Sequence, residues 1–122
     1  MAFNTLEPIK IDCPVCDIRS EHQFQFETGA DYKGDETGRF CLRFYKVGDK
    51  LAWWPSSDAR YPLWRQYTEN GGDSAKEQIE MTCPNCRSSL IVSLAFESLY
   101  IIGVVDVRIS VQAEPSRGAA DE

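Results

Sequence analysis

Four of the five cysteines in this 122-residue chain fall into two matching motifs, Cys13-Pro14-Val15-Cys16 and Cys83-Pro84-Asn85-Cys86. A Cys-x-x-Cys turn lets both sulfurs of a pair reach one cation. Two such pairs supply the four thiolates of a tetrahedral structural zinc site, with Zn–S about 2.3 Å. Proline after the first cysteine fixes φ and removes a backbone N–H that would otherwise need a partner inside the turn. In a reducing cytosol a disulfide is the less favoured fate, because cytosolic cystines are mostly transient or catalytic. Zinc held by Cys13, Cys16, Cys83 and Cys86 is therefore the expected chemistry, and iron is the other metal that suits four sulfurs. Four thiolates leave no open position for water, so the metal is expected to fold the chain and not to carry out a reaction.

With these motifs the chain resembles zinc-ribbon proteins, whose two Cys-Pro-x-Cys knuckles each sit in a β-turn and share one zinc. The resemblance rests on Cys13 to Cys16 and Cys83 to Cys86, more weakly on the flanking strands, and implies a structural site of four cysteines. The commonest ribbon has glycine after the second cysteine of a knuckle, where this chain has Asp17 and Arg87. Aspartate tolerates positive φ better than arginine does, so a different turn is expected in the second knuckle. The order of a knuckle, the aromatic strand HQFQF, the stretch YKVGDKLAW and a late second knuckle is also similar to small uncharacterised bacterial zinc-ribbon proteins. That similarity implies architecture and no activity.

The elements that must hold the motifs read as strands. Around the first knuckle, IKIDCPVCDIRSEHQFQFET alternates with period two, His22, Phe24 and Phe26 on one face and Gln23, Gln25 and Glu27 on the other. GADYKGDETG reads as a turn-rich loop. RFCLRFYK alternates again, with Phe40, Leu42 and Phe44 expected inward and Arg39, Arg43 and Tyr45 outward, and VGDK supplies a turn before LAWW. From Pro55 to Ser74 the period is lost; two prolines and a glycine pair mark a long loop in which Trp64 and Tyr67 pack, as one helical turn. KEQIEMT leads as a strand into the second knuckle. SSLIVSLAF and YIIGVVDVRISV follow as two strands joined at FESLY. In the last, Ile101, Val105, Val107, Ile109 and Val111 are expected on one face and Asp106, Arg108 and Ser110 on the other. The fold class is mainly β: a small antiparallel domain over residues 1–112 with a zinc-ribbon-like metal clip and a long aromatic loop, followed by a flexible tail at 113–122.

Little else supports catalysis. His22, the one histidine, shares a face with Phe24 and Phe26 and reads as a half-buried, hydrogen-bonded strand residue. Cys41 lies in an alternating strand outside any ligand pair and reads as a small hydrophobe. Asp31, Asp35 and Glu36 lack the ligand spacing of a calcium loop and read as solvated. No nucleophile elbow, catalytic triad or phosphate-binding glycine loop is present. A thioredoxin-like use of either CxxC is disfavoured because strand, not helix, follows each motif. The expectation is a protein that is not an enzyme.

The remaining unusual feature is aromatic. WWPSSDARYPLWRQY is rich in the tryptophan, tyrosine and arginine that dominate protein interfaces, which marks Trp53, Trp54, Arg60, Tyr61, Trp64, Arg65 and Tyr67 as candidate partner-binding residues. Packing of these rings in the core is the competing reading. On the interface reading, Trp64→Ala with Arg65→Ala leaves the fold intact; on the core reading it does not. Thirteen Lys and Arg against nineteen Asp and Glu, a net charge of −6, argue against a phosphate backbone as partner. A nucleic-acid ribbon using Arg39, Arg43, Arg60 and Arg65 is the alternative. The start of the chain lacks the pattern of a secretory signal and no apolar run is long enough to span a membrane, so a cytoplasmic protein is expected. The function expected is a non-catalytic zinc-binding interaction module, of adaptor or toxin-neutralising type, whose partner is another protein.

Overall fold

The computed structural model describes residues 4–30 and 43–110. Among the described residues, six strands form two three-stranded sheets: β1 (Asn4–Asp12), β2 (Arg19–Phe26) and β3 (Phe44–Tyr45) in the order β2-β1-β3, and β4 (Ser74–Thr82), β5 (Ser89–Glu97) and β6 (Tyr100–Ile109) in the order β4-β5-β6. All neighbours are antiparallel except β1 and β3, which run parallel. The mainly β, antiparallel-rich class expected from the alternation is the class found. Asp31, Asp35, Glu36, Arg39, Phe40, Cys41 and Leu42, and the chain from Val111 onward, lie outside the described residues.

Each sheet is built on one knuckled hairpin, and the two hairpins share a register. β1 and β2 pair from Ile9↔His22 to Asp12↔Arg19, and β4 and β5 from Ile79↔Val92 to Thr82↔Ser89. A shift of 70 residues carries the first set of pairs onto the second. The shift also carries Phe26 onto Phe96, both 1% exposed, and the two rings meet with centroids 5.5 Å apart. In the first hairpin the ladder slips between Leu6 and Ile9. Pro8, which has no N–H to give to a ladder, sits in that interruption.

One apolar cluster draws from both sheets, with Leu6, Phe24 and Phe26 on one side and Val92, Leu94, Phe96 and Ile101 on the other. Glu77 on β4 ties the sheets together at the far end of β2: its carboxylate accepts from the backbone N–H groups of Glu27 and Thr28 and from the Thr28 hydroxyl.

Three expectations are corrected here. Phe44 is exposed and Tyr45 is buried, the reverse of the expected facing. Parallel pairing with β1 sets Tyr45 beside Leu6, and the Tyr45 hydroxyl accepts from Ala52 N–H at 2.9 Å. LAWW is not a strand; after the VGDK turn only Lys50 bridges, to Tyr100. The β6 alternation fails because the register with β5 slips twice, leaving Ile102 and Val105 as extra residues opposite the ladder. Val105, expected inward, is 51% exposed, Ile109 is 44% exposed, and Ser110 is buried. FESLY does turn as expected: Ser98 and Leu99 take φ of +51° and +76°, a two-residue connection of the type that matches strand twist.

The connection from Pro55 to Ser74 is more ordered than its sequence suggests. It holds a 3₁₀ segment at Tyr61–Tyr67, with Pro62 in its first turn, and a shorter one at Glu69–Gly71. Trp53 and Trp64 are buried at 9% and 3%, and Trp54, Tyr61 and Tyr67 pack partly buried against the core. Trp53 stands edge-on to Trp54, Trp64 and Tyr67, and its indole N–H donates to the Tyr61 carbonyl at 3.0 Å. The core reading therefore holds for the rings that matter most to stability, since burying a large apolar side chain contributes about 1.5–3 kcal/mol.

Candidate metal centre

The two hairpin tips meet. Cys13 and Cys83 are buried, Cys16 and Cys86 half-buried, and the four sulfurs all lie within 4.8 Å of one another. Cys13 Sγ is 3.7 Å from Cys86 Sγ, and Cys16 Sγ is 3.8 Å from Cys83 Sγ. Four sulfurs each about 2.3 Å from a central ion form a tetrahedron with edges of about 3.8 Å, so the donor set fits a metal of zinc's size. All four cysteines expected as ligands are brought together.

Local backbone chemistry explains why each motif presents its sulfurs this way. In the first knuckle Cys13 N–H donates to the Ile18 carbonyl at 3.2 Å and Asp17 N–H to the Cys13 carbonyl at 2.9 Å. In the second, Cys83 N–H donates to the Ser88 carbonyl at 3.0 Å and Arg87 N–H to the Cys83 carbonyl at 2.9 Å. Asp17 and Arg87 both sit in the left-handed region, at φ +64° and +67°. The expectation of a different second turn is therefore overturned: Arg87 accepts the unfavourable conformation because the same pair of backbone bonds closes the same loop. Beneath the first knuckle the Arg19 guanidinium meets the Asp12 carboxylate through two bonds of 2.9 and 3.1 Å, and holds that carboxyl below its ordinary range.

The sulfurs differ in acidity. The Ser88 hydroxyl, 3.3 Å away, together with the Ser88 N–H brings Cys86 down to about 6. The N–H of Cys86, and then that of Asn85, lower Cys83. At Cys16 the Ile18 N–H favours the thiolate, but burial and hydrogen bonds to the other three sulfurs push it up to about 12. Four neighbouring sulfurs resist being thiolates together, and a divalent cation removes that resistance.

Of the aromatic candidates, Trp53 and Trp64 belong to the core, while Trp54, Tyr61 and Tyr67 are only partly buried. Arg60 and Arg65 are exposed but engaged: Arg60 forks onto Asp58 and stacks over Trp54 at 5.0 Å, and Arg65 donates to the Gly71 carbonyl. His22 is half-buried with Nε2 2.8 Å from Ser20 Oγ, as its strand position implies. What sequence reasoning missed is Glu77, which is flanked by the surface residues Lys76 and Gln78 and whose role depends on a turn about 50 residues away.

A scan of protein-family models, a search of curated proteins and a search of solved structures give no match to this chain. Fold and site by themselves define its class: a mainly β protein with two knuckled hairpins and a four-cysteine cluster that could hold a metal ion. No described helix is long and apolar enough to cross a membrane.

Proposed function

We propose that the chain is a zinc-ribbon-like, non-catalytic protein whose Cys13, Cys16, Cys83 and Cys86 hold one structural zinc, and that it works in the cytoplasm by binding another protein. The observation that carries the metal assignment is the pair of sulfur–sulfur distances, 3.7 and 3.8 Å, at the edge length of a zinc–thiolate tetrahedron. Four protein ligands complete the coordination, which supports a folding role. Because these two contacts each join sulfurs of different motifs, the site acts as a clip between hairpins and lends no support to thiol redox chemistry within one CxxC.

An interaction role is supported by what remains on the surface. Trp54, Tyr61 and Tyr67 are partly buried against the core that holds Trp53 and Trp64, Arg60 stacks over Trp54, Arg65 is exposed, and the net charge of −6 suits a basic protein partner. The net charge of −6 counts against the nucleic-acid alternative, because phosphate binding draws most of its affinity from cations.

Native mass spectrometry of protein purified without chelator tests the metal. One zinc per chain, lost together with folding on chelation, is the expected result; metal-free protein two or four hydrogens lighter than the reduced chain would replace the clip with disulfides. For the partner, a protein retained from lysate by wild type and lost with Arg60→Ala plus Arg65→Ala is expected. Equal capture by both would move the binding surface elsewhere.

A further inference from the structure

The outer edge of β6 carries a pattern that fits itself. β6 pairs with β5 on one side, and on the other the segment from Gly48 to Leu51 covers only its start, through bonds to Leu99 and Ile101. Among the described residues no strand flanks β6 from Val104 to Ile109 on that side. Ser110 N–H donates inward to Ser89, so two-residue periodicity turns the N–H and C=O of Ile109 outward, with no β5 partner, and in the regular ladder from Asp106 onward those of Val107 also point outward.

Val105 and Ile109 are exposed apolar residues on this edge, and Asp106 and Arg108 lie between them, 3.8 Å apart with side chains 55% and 45% exposed. Consider a second β6 laid antiparallel about a two-fold axis through Val107. Val107 then faces its own copy, Val105 faces Ile109, and Asp106 faces Arg108 twice over. Apolar meets apolar and each charge meets its opposite, with outward backbone groups aligned at the axis.

We propose that β6 is a homodimer interface in which two chains join edge to edge into one continuous six-stranded sheet. The contact is isologous, as a two-fold dimer requires, and it satisfies backbone groups that an open edge leaves to water. Edge pairing over Val105 to Ile109 buries little area, so the dimer is weak and concentration-dependent, with a dissociation constant in the micromolar range, roughly 1–100 µM. Of the two bulges in β6, the one at Ile102 lies outside the paired stretch and the one at Val105 marks its near end.

Charge reversal tests this without touching the core. Sedimentation equilibrium of the metal-loaded full chain from roughly 1 µM to 1 mM, spanning the range expected of a small interface, should show reversible dimerisation. Asp106→Arg alone and Arg108→Asp alone each set like charges opposite one another and should weaken it about tenfold or more. The double variant D106R/R108D restores opposite pairs and should restore dimerisation. A wild type that stays monomeric to the top of the range overturns the proposal. So does a dimer insensitive to all three variants, which would place the contact on another face. Amides of Val107 and Ile109 that exchange slowly in a monomer would likewise overturn it, because the chain itself would then cover the edge.

Discussion

Glu77 Oε1 lies 2.6 Å from Thr28 Oγ1 and 2.8 Å from Thr28 N, so one carboxylate on β4 closes the end of β2 in the opposite sheet. Its second oxygen takes Glu27 N–H at 2.9 Å. Three donors converge on a single charged acceptor at the end of the molecule away from the cysteines. Glu77→Gln turns an amide N–H toward those donors and should cost about 1–2 kcal/mol, the scale of charged hydrogen bonds partly open to water. Urea unfolding reads this directly; an unchanged midpoint would mean the strap is not made in solution.

Metal removal should be far more damaging than loss of that strap. Cys83→Ser leaves three thiolates at the joint between hairpins and should abolish stoichiometric zinc, lowering the unfolding midpoint by more than about 10 °C. Cys41→Ser should keep full metal loading. Metal content by elemental analysis alongside a thermal melt separates the two, and equal zinc in both variants would exclude Cys83 as a ligand.

Arg87 offers the opposite kind of test. At φ +67° an arginine occupies backbone space that costs a non-glycine residue about 1–2 kcal/mol, and glycine occupies it freely. Arg87→Gly should therefore raise stability by about 1 kcal/mol with zinc retained, and Asp17→Gly by less, since aspartate visits that region more readily. A destabilised Arg87→Gly protein would show that the arginine side chain contributes more than its backbone strain removes.

In the aromatic connection, Trp64→Ala should cost about 3–5 kcal/mol as a core deletion, while Arg65→Ala should cost well under about 1 kcal/mol. The double substitution consequently unfolds the chain, against the expectation that an interface loop would tolerate it. Circular dichroism of each single variant decides the matter.

Acid should loosen the same connection late. The Arg60 side chain, and then its backbone N–H, hold Asp58 at about 2, down from 3.8. Because the folded value is depressed, the stabilisation is complete above the unfolded value of 3.8 and disappears as pH falls through about 2. A carboxyl carbon titration of Asp58 with its midpoint at about 2 is expected; a midpoint at the ordinary 3.8 would mean Asp58 and Arg60 are apart in solution. Asp58→Asn should remove this pH dependence.

What the sequence made legible was short-range. Cys-Pro-x-Cys carries its geometry in four residues, and the alternation of His22, Phe24 and Phe26 needs only a strand with one wet face. What escaped depended on partners far along the chain. Tyr45 turns inward because β3 runs parallel beside Leu6, and Val105 turns outward because β6 slips against β5, neither of which a period of two contains. The echo of the cysteine motifs was visible, but its extension into matched strand registers was not, since Lys10 and Glu80 or His22 and Val92 share position without sharing chemistry. Trp53 and Trp64 looked like interface residues by type, and only the 3₁₀ segment that folds them under the connection makes them core.

The 70-residue equivalence of the two hairpins has a further consequence. Each half supplies two of the four sulfurs, and the chain between them crosses a surface turn around Ser56–Ala59. A protein cut there would yield two fragments, neither with a complete ligand set, whose reunion depends on an ion both must hold. With a metal bound as proposed, reassembly would report the coincidence of both fragments and the ion, the layout of a metal-gated split protein.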